Sequence, residues 1–334
     1  MKINLYDDII EKCNEDKTYF STLSSDLKNN KNFLNAILDS RASDKRWYVG
    51  NEDILRERPD AITEDPDLMV KVLGKLRGLE EEERLDDFIP EALKANKAVM
   101  MAAASQTESS SLVSWLEGVD PELLCDTEFM LPCISRNSSA FNSLPYHLRN
   151  DKNFIVECIQ SNHEVYAVLP DAHKKDLDIA TEYAMSRPSA KHTSVLRGIP
   201  EEVTVRKDFI LAVTDRLLAD GKLRGVFYAE ELDPTLRCDS DVMLNAVKLF
   251  PRNLNFASAK LRNDKDLVLT ALRANAENPY VRMEESLFKI GPGLIARINE
   301  SQRLKSLESI DLAEKMDATL SHKDVPAKTA KLKI

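Results

Sequence analysis

The feature that most constrains this 334-residue chain is internal self-similarity, because a chain that repeats a short unit must build its core by stacking copies of it. Four stretches read alike: PEALKANKAVM from Pro90, PYHLRNDKNFI from Pro145, PEEVTVRKDFI from Pro200 and SAKLRNDKDLV from Ser258. The run Arg-Asn-Asp-Lys occurs at Arg149 to Lys152 and again at Arg262 to Lys265. With the proline position taken as zero, anchors fall at Ser24, Pro59, Pro90, Asp120, Pro145, Pro170, Pro200, Asp233 and Ser258, spaced 25 to 35 residues apart. Column +9 then holds Phe33, Leu68, Val99, Phe129, Phe154, Ile179, Phe209, Val242 and Leu267. Column +13 is small or apolar, from Ile37 and Val72 through Cys133 and Cys158 to Ala271. Columns +3 and −1 are apolar in most copies, with His173 and Arg58 as departures.

Column +6 supplies the local mechanism. It reads Asn30, Asp65, Asn96, Asp126, Asp151, Asp176, Arg206, Asp239 and Asp264. A short side-chain oxygen here accepts from the free N–H groups of a helix's first turn, so Asp65, Asp126, Asp151, Asp176, Asp239 and Asp264 are expected helix caps. An acid two residues later, as at Asp67, Glu128, Asp178 and Asp241, complements the helix dipole. Apolar residues at +9, +10, +13 and +14 lie on one face of a helix, so each copy is expected to carry a longer helix over about +7 to +17. Positions −4, −1 and +3 (Phe141, Leu144 and Leu148 in one copy) mark a shorter first helix of about two turns, with the proline near its start.

A pair of helices this short cannot bury both its faces, so neighbours must stack. The expected fold is all-α: a right- or left-handed α-solenoid of about nine two-helix repeats of 25–35 residues each. Residues 1–22 read as an N-terminal capping helix and 23–290 as the helical-repeat array. Residues 291–317 read as a partial repeat with a closing helix, and 318–334 as a flexible basic tail.

Composition bounds the function. Only 9 residues are glycine and 6% are aromatic, which disfavours a turn-rich β architecture. The net charge of −10 argues against non-specific nucleic-acid binding, which needs a basic surface to displace counterions. The N-terminus meets acidic residues at once, so no signal peptide is expected, and no apolar run reaches the roughly 18 residues of a membrane span. Five cysteines without a C-x-x-C pair suit a reducing cytoplasm.

The core Leu-Pro-x-x-Leu-Arg-Asn-Asp-Lys-x-Phe/Leu-Ile/Val resembles tandem short helical repeats catalogued as a domain of unknown function in phage, large-virus and bacterial proteins. The resemblance covers roughly Leu23 to Ala274 and is clearest around Pro145 and Ser258. It implies a fold and a viral or prophage origin, and it transfers no functional residue.

No spacing selects a catalytic or metal-binding set. The histidines show no H-x-x-x-H pattern, Gly291 has no P-loop lysine, and no serine sits in a G-x-S-x-G elbow. Cys133 and Cys158 occupy a core column and are expected to pack as small hydrophobes. The run Glu80 to Glu83, with Asp86 and Asp87, reads as a solvated helix face. The insertion DSRASDKRWYVGNED places Arg46, Trp47 and Tyr48 together, residue types that dominate interface energetics. The expectation is therefore a scaffold without enzymatic activity or cofactor. It binds a protein partner through Arg46, Trp47 and Tyr48, as a host-interaction or assembly factor. The alternatives are a nucleic-acid-binding α-solenoid and an enzyme whose site is assembled from distant repeats.

Overall fold

The computed structural model describes residues 6–44, 50–76, 85–187, 194–220 and 227–277, with side chains to 275. All regular elements among the described residues are α or 3-10 helices. The chain divides into two compact units, Met1–Ser186 and Arg187–Ile334.

The longer helices of the first unit are α1 (Asp7–Glu15), α2 (Lys31–Ser43), α3 (Pro66–Leu73), α4 (Lys97–Gln106), α5 (Thr127–Arg136), α6 (Lys152–Ser161) and α7 (Leu177–Ser186). Each packs against the next in chain order. In the second unit α8 (Lys207–Asp220), α9 (Ser240–Leu249) and α10 (Lys265–Glu277) do the same. The packed faces are the apolar columns: Phe33, Leu34, Ile37 and Leu38 on α2, and Phe129, Met130, Cys133 and Ile134 on α5, are all buried. The same four positions bury Val242, Met243, Ala246 and Val247 on α9.

Except at α1 and α8, each of these helices starts where a side-chain oxygen captures its first free N–H groups. Asp65 accepts from the N–H groups of Asp67 and Leu68 at 3.1 and 3.3 Å, and Asp126 from Glu128 and Phe129 at 2.9 and 3.3 Å. Asp151 accepts from Asn153 and Phe154, Asp176 from Asp178 and Ile179, Asp239 from Asp241 and Val242, and Asp264 from Leu267. Asn30 and Asn96 cap α2 and α4 in the same way.

A second contact is built on these caps in every other copy. Position +7 is Lys31, Lys97, Lys152, Lys207 and Lys265 in the odd copies, and Pro66, Thr127, Leu177 and Ser240 in the even ones. Lys31 reaches the cap of the following helix, Asp65, at 2.7 Å. Lys97 pairs with Asp126 at 2.7 Å and Glu128 at 2.6 Å, and Lys152 with Asp176 at 2.8 Å and Asp178 at 2.5 Å. Lys207 pairs with Asp239 at 2.7 Å and Asp241 at 2.8 Å. The cap that receives a lysine is always aspartate. The odd-copy caps, which receive none, vary between asparagine, aspartate and arginine.

These contacts set a pH dependence. Hydrogen bonds from Lys31 and Lys97 hold the carboxyls of Asp65 and Asp126 below the usual carboxylate range. At Asp176 and Asp239 partial burial pushes upward, but the bonds from Lys152 and Lys207 and from the first-turn N–H groups outweigh it. A carboxyl lowered in the fold contributes stability that is fully present above its unfolded value of about 3.9 and is lost as pH falls through the lower folded value. Thermal melting is therefore expected to be flat from pH 7 to about 5 and to fall steeply below about 4. A Lys97→Met variant should lose less of its melting temperature over the acid range than the parent chain, because part of the acid-sensitive term is already gone.

One feature differs from the sequence expectation, and two residues that depart from the columns find their own solutions. The two-turn first helix does not form. In the copy at Pro145 a 3-10 segment, Ser138–Ser143, ends at Leu144, whose ψ of 147° is extended, and a single turn, Tyr146–Arg149, follows. The proline ring drives the preceding residue out of the α region, so Leu-Pro breaks the helix and Pro145 lies before the turn, outside it. The same break occurs at Leu169-Pro170. Arg58, in place of an apolar residue at −1, adopts a left-handed φ of 48° and lays its guanidinium over the Phe88 ring. Arg206, in place of a cap, pairs with Asp208 at 2.7 Å, and Asp208 accepts the Phe209 N–H instead.

Candidate functional site

The most built-up polar region of the first unit lies around α1, α2 and the helix Glu52–Glu57. Arg41, near the end of α2, is completely buried. Its guanidinium donates to Asn14 Oδ1 at 3.1 Å, the Cys13 carbonyl at 3.1 Å and the Gly50 carbonyl at 2.9 Å. Two further bonds, at 2.6 and 2.8 Å, run side by side to the two oxygens of Asp53. All five N–H donors are thus used, the fork geometry in which arginine is tolerated without water.

The same cluster fixes the residues on either side of 45–49. On one side Lys75 donates to the carbonyls of Arg41 and Asp44. On the other, Gly50 is held by Arg41. Asn51, also buried, donates through its backbone to the Lys75 carbonyl at 3.0 Å and through its side chain to Lys71 and Val72. Arg46, Trp47 and Tyr48 lie outside the described residues, and so do residues 80–83 and the tail. What the structure adds is the base from which 45–49 departs.

Beside that base, α1 and α2 border an open cleft of about 540 Å³. Its polar lining includes Asp7, Glu11, Glu15, Asp39 and Asp44, and among the described residues no lysine or arginine lines it. Asp39 is paired at the rim with Lys71 at 2.9 Å. A cleft of this charge favours cationic side chains and disfavours phosphates.

The remaining candidates are accounted for by packing. Burial pushes the thiols of Cys13 and Cys133 up to about 11 and that of Cys158 to about 12, with Arg41 partly offsetting the rise at Cys13. A thiol that resists ionisation is a poor nucleophile and a poor metal ligand. Cys125 and Cys238 are exposed. A thiol reagent at pH 8 under native conditions is therefore expected to modify Cys125 and Cys238 within minutes. Cys13, Cys133 and Cys158 should react only on the timescale of opening, as peptide mass spectrometry would report. His173 is half-buried with its Nε2 3.1 Å from Asn150 Oδ1, linking two neighbouring short turns. Among the described residues no group of three or more His, Cys, Asp or Glu is placed to hold a metal ion. No helix among them is long and apolar enough to cross a membrane.

The six capping aspartates face helix N-termini rather than one another, so they form a structural series and not a site. Arg41 and Asp53 carried no periodic signal, since they occur in one copy only. The lysine alternation, by contrast, is present in the sequence as soon as column +7 is read in pairs. No curated protein and no solved structure matches the chain. Residues 126–172 and 239–283 match the family model of a domain of unknown function (DUF4116), one segment in each unit.

Proposed function

We propose that this protein is a non-enzymatic helical-repeat scaffold, a solenoid of about nine copies, that binds a protein partner through the edge of its N-terminal unit. The observation that carries this reading is the pinned base of segment 45–49 beside the acidic cleft. A buried arginine with every donor satisfied, together with Asn51 and Lys75, anchors the residues on either side of the five-residue segment that contains Arg46, Trp47 and Tyr48. Anchoring of this kind lowers the ordering cost of presenting aromatic and arginine side chains to a partner. The adjacent carboxylates of Asp7, Glu11 and Glu15 favour a partner with basic residues flanking its contact. The resemblance to repeats of phage, large-virus and bacterial proteins supports a cytoplasmic host-interaction or assembly factor.

The test is capture from the native cell with the full chain and with the triple variant Arg46→Ala, Trp47→Ala, Tyr48→Ala, after melting curves show both folded. Retention of a defined protein by the parent chain and its loss in the triple variant is the expected result. Retention of nothing, or equal retention by both, would sink the reading.

A further inference from the structure

The alternation of lysine at +7 makes two kinds of joint between successive long helices. At the joints α2/α3, α4/α5, α6/α7 and α8/α9 the leading residue of one helix reaches over to the cap of the next, at 2.7 to 2.8 Å. At α3/α4, α5/α6 and α9/α10 the equivalent residues are Pro66, Thr127 and Ser240, which carry no charge to reach with. The acceptor is not what is missing, because Asp151 caps α6 with the same geometry as Asp176 caps α7. Nor is spacing the cause. Thr127 precedes Asp151 by 24 residues, and Lys152 precedes Asp176 by the same 24.

We infer that the structural period of this protein is two copies rather than one, with lysine-latched helix pairs as the stiff elements and the unlatched joints as the places where the array yields. A second, independent observation agrees. Both segments that match the family model begin at an even-copy cap, Asp126 or Asp239, and run through one even and one odd long helix. The α5/α6 joint keeps one polar tie at the opposite ends of its helices, where Asn162 donates to the carbonyls of Ile134 and Ser135. Its yielding is thus a hinge at the first turns and not a separation.

Latches between half-exposed side chains are individually weak, because water screens both charges. Their effect is expected where local opening is sampled rather than in global unfolding. Native-state hydrogen exchange of the full chain, read at the first-turn amides of α6 and α7, measures it. In the parent chain the amides of Asp178 and Ile179 should exchange more slowly than those of Asn153 and Phe154, by about two- to fivefold. Lys152→Met should bring the α7 amides down to the α6 level. Thr127→Lys, which places a lysine 24 residues before Asp151, should raise the α6 amides to the α7 level. Equal exchange at the two joints in the parent chain, or indifference of both to these substitutions, overturns the two-copy period.

Discussion

Replacing Arg41 by methionine is expected to destabilise the N-terminal unit by about 3–5 kcal/mol, the range seen when one partner of a buried ion pair is removed. The size follows from what is left behind. Asp53 would keep a nearly buried carboxylate without its two bonds, and the carbonyls of Cys13 and Gly50 and the amide oxygen of Asn14 would each lose a donor. Arg41→Lys should recover little, since one ammonium cannot span the four acceptor groups that the planar fork holds. Adding Asp53→Leu to Arg41→Met should restore part of the loss, because removing both charges avoids the uncompensated one. Urea denaturation of the three variants, followed by circular dichroism, measures the differences. A loss below about 1 kcal/mol for Arg41→Met would mean that water reaches the cluster and that segment 45–49 is not held at its base.

Phe129→Ala is the second large effect, with an expected cost of about 3–5 kcal/mol. Phe129 is 1% exposed on the inner face of α5, which packs against both α4 and α6. Stability in a stacked array is the sum of each unit and its interfaces, so a cavity on α5 weakens two interfaces at once. Hydrogen exchange should therefore rise on α4 and α6 as well as on α5, and remain at parent values on α1. Exchange that rises equally across the whole unit would instead describe a single cooperative core.

These two residues also show how differently the sequence exposed the structure. Phe129 was legible because nine aligned positions of the sequence, from Phe33 to Leu267, are all apolar, and such agreement averages out the ambiguity of any one apolar residue. The capping aspartates were legible for the same reason, and because the cap is a local contact within two or three residues of the chain. Arg41 was not legible. It sits in one copy, its partners come from residues 13 to 53, and nothing in its own neighbourhood distinguishes it from a surface arginine at a helix end. The break of the first helix at Leu-Pro was legible in part. The apolar positions −4, −1 and +3 fit a helical period, and they also fit two short turns that meet at an extended residue. Periodicity alone does not separate these, whereas the restriction that proline places on its predecessor does.

The latch contacts carry a consequence for how such a chain can change over generations. The lysine and its acceptors are separated by 34 residues at Lys31 and Asp65, by 29 at Lys97 and Asp126, and by 24 at Lys152 and Asp176, yet the ion pairs fall within 0.1 Å of one another. The segments between them absorb ten residues of variation while the lysine-to-cap contact keeps its length. A gene for this protein can therefore gain or lose sequence in those segments while the stacked helices keep their register. New surface can be tried at one joint with the rest of the array left intact.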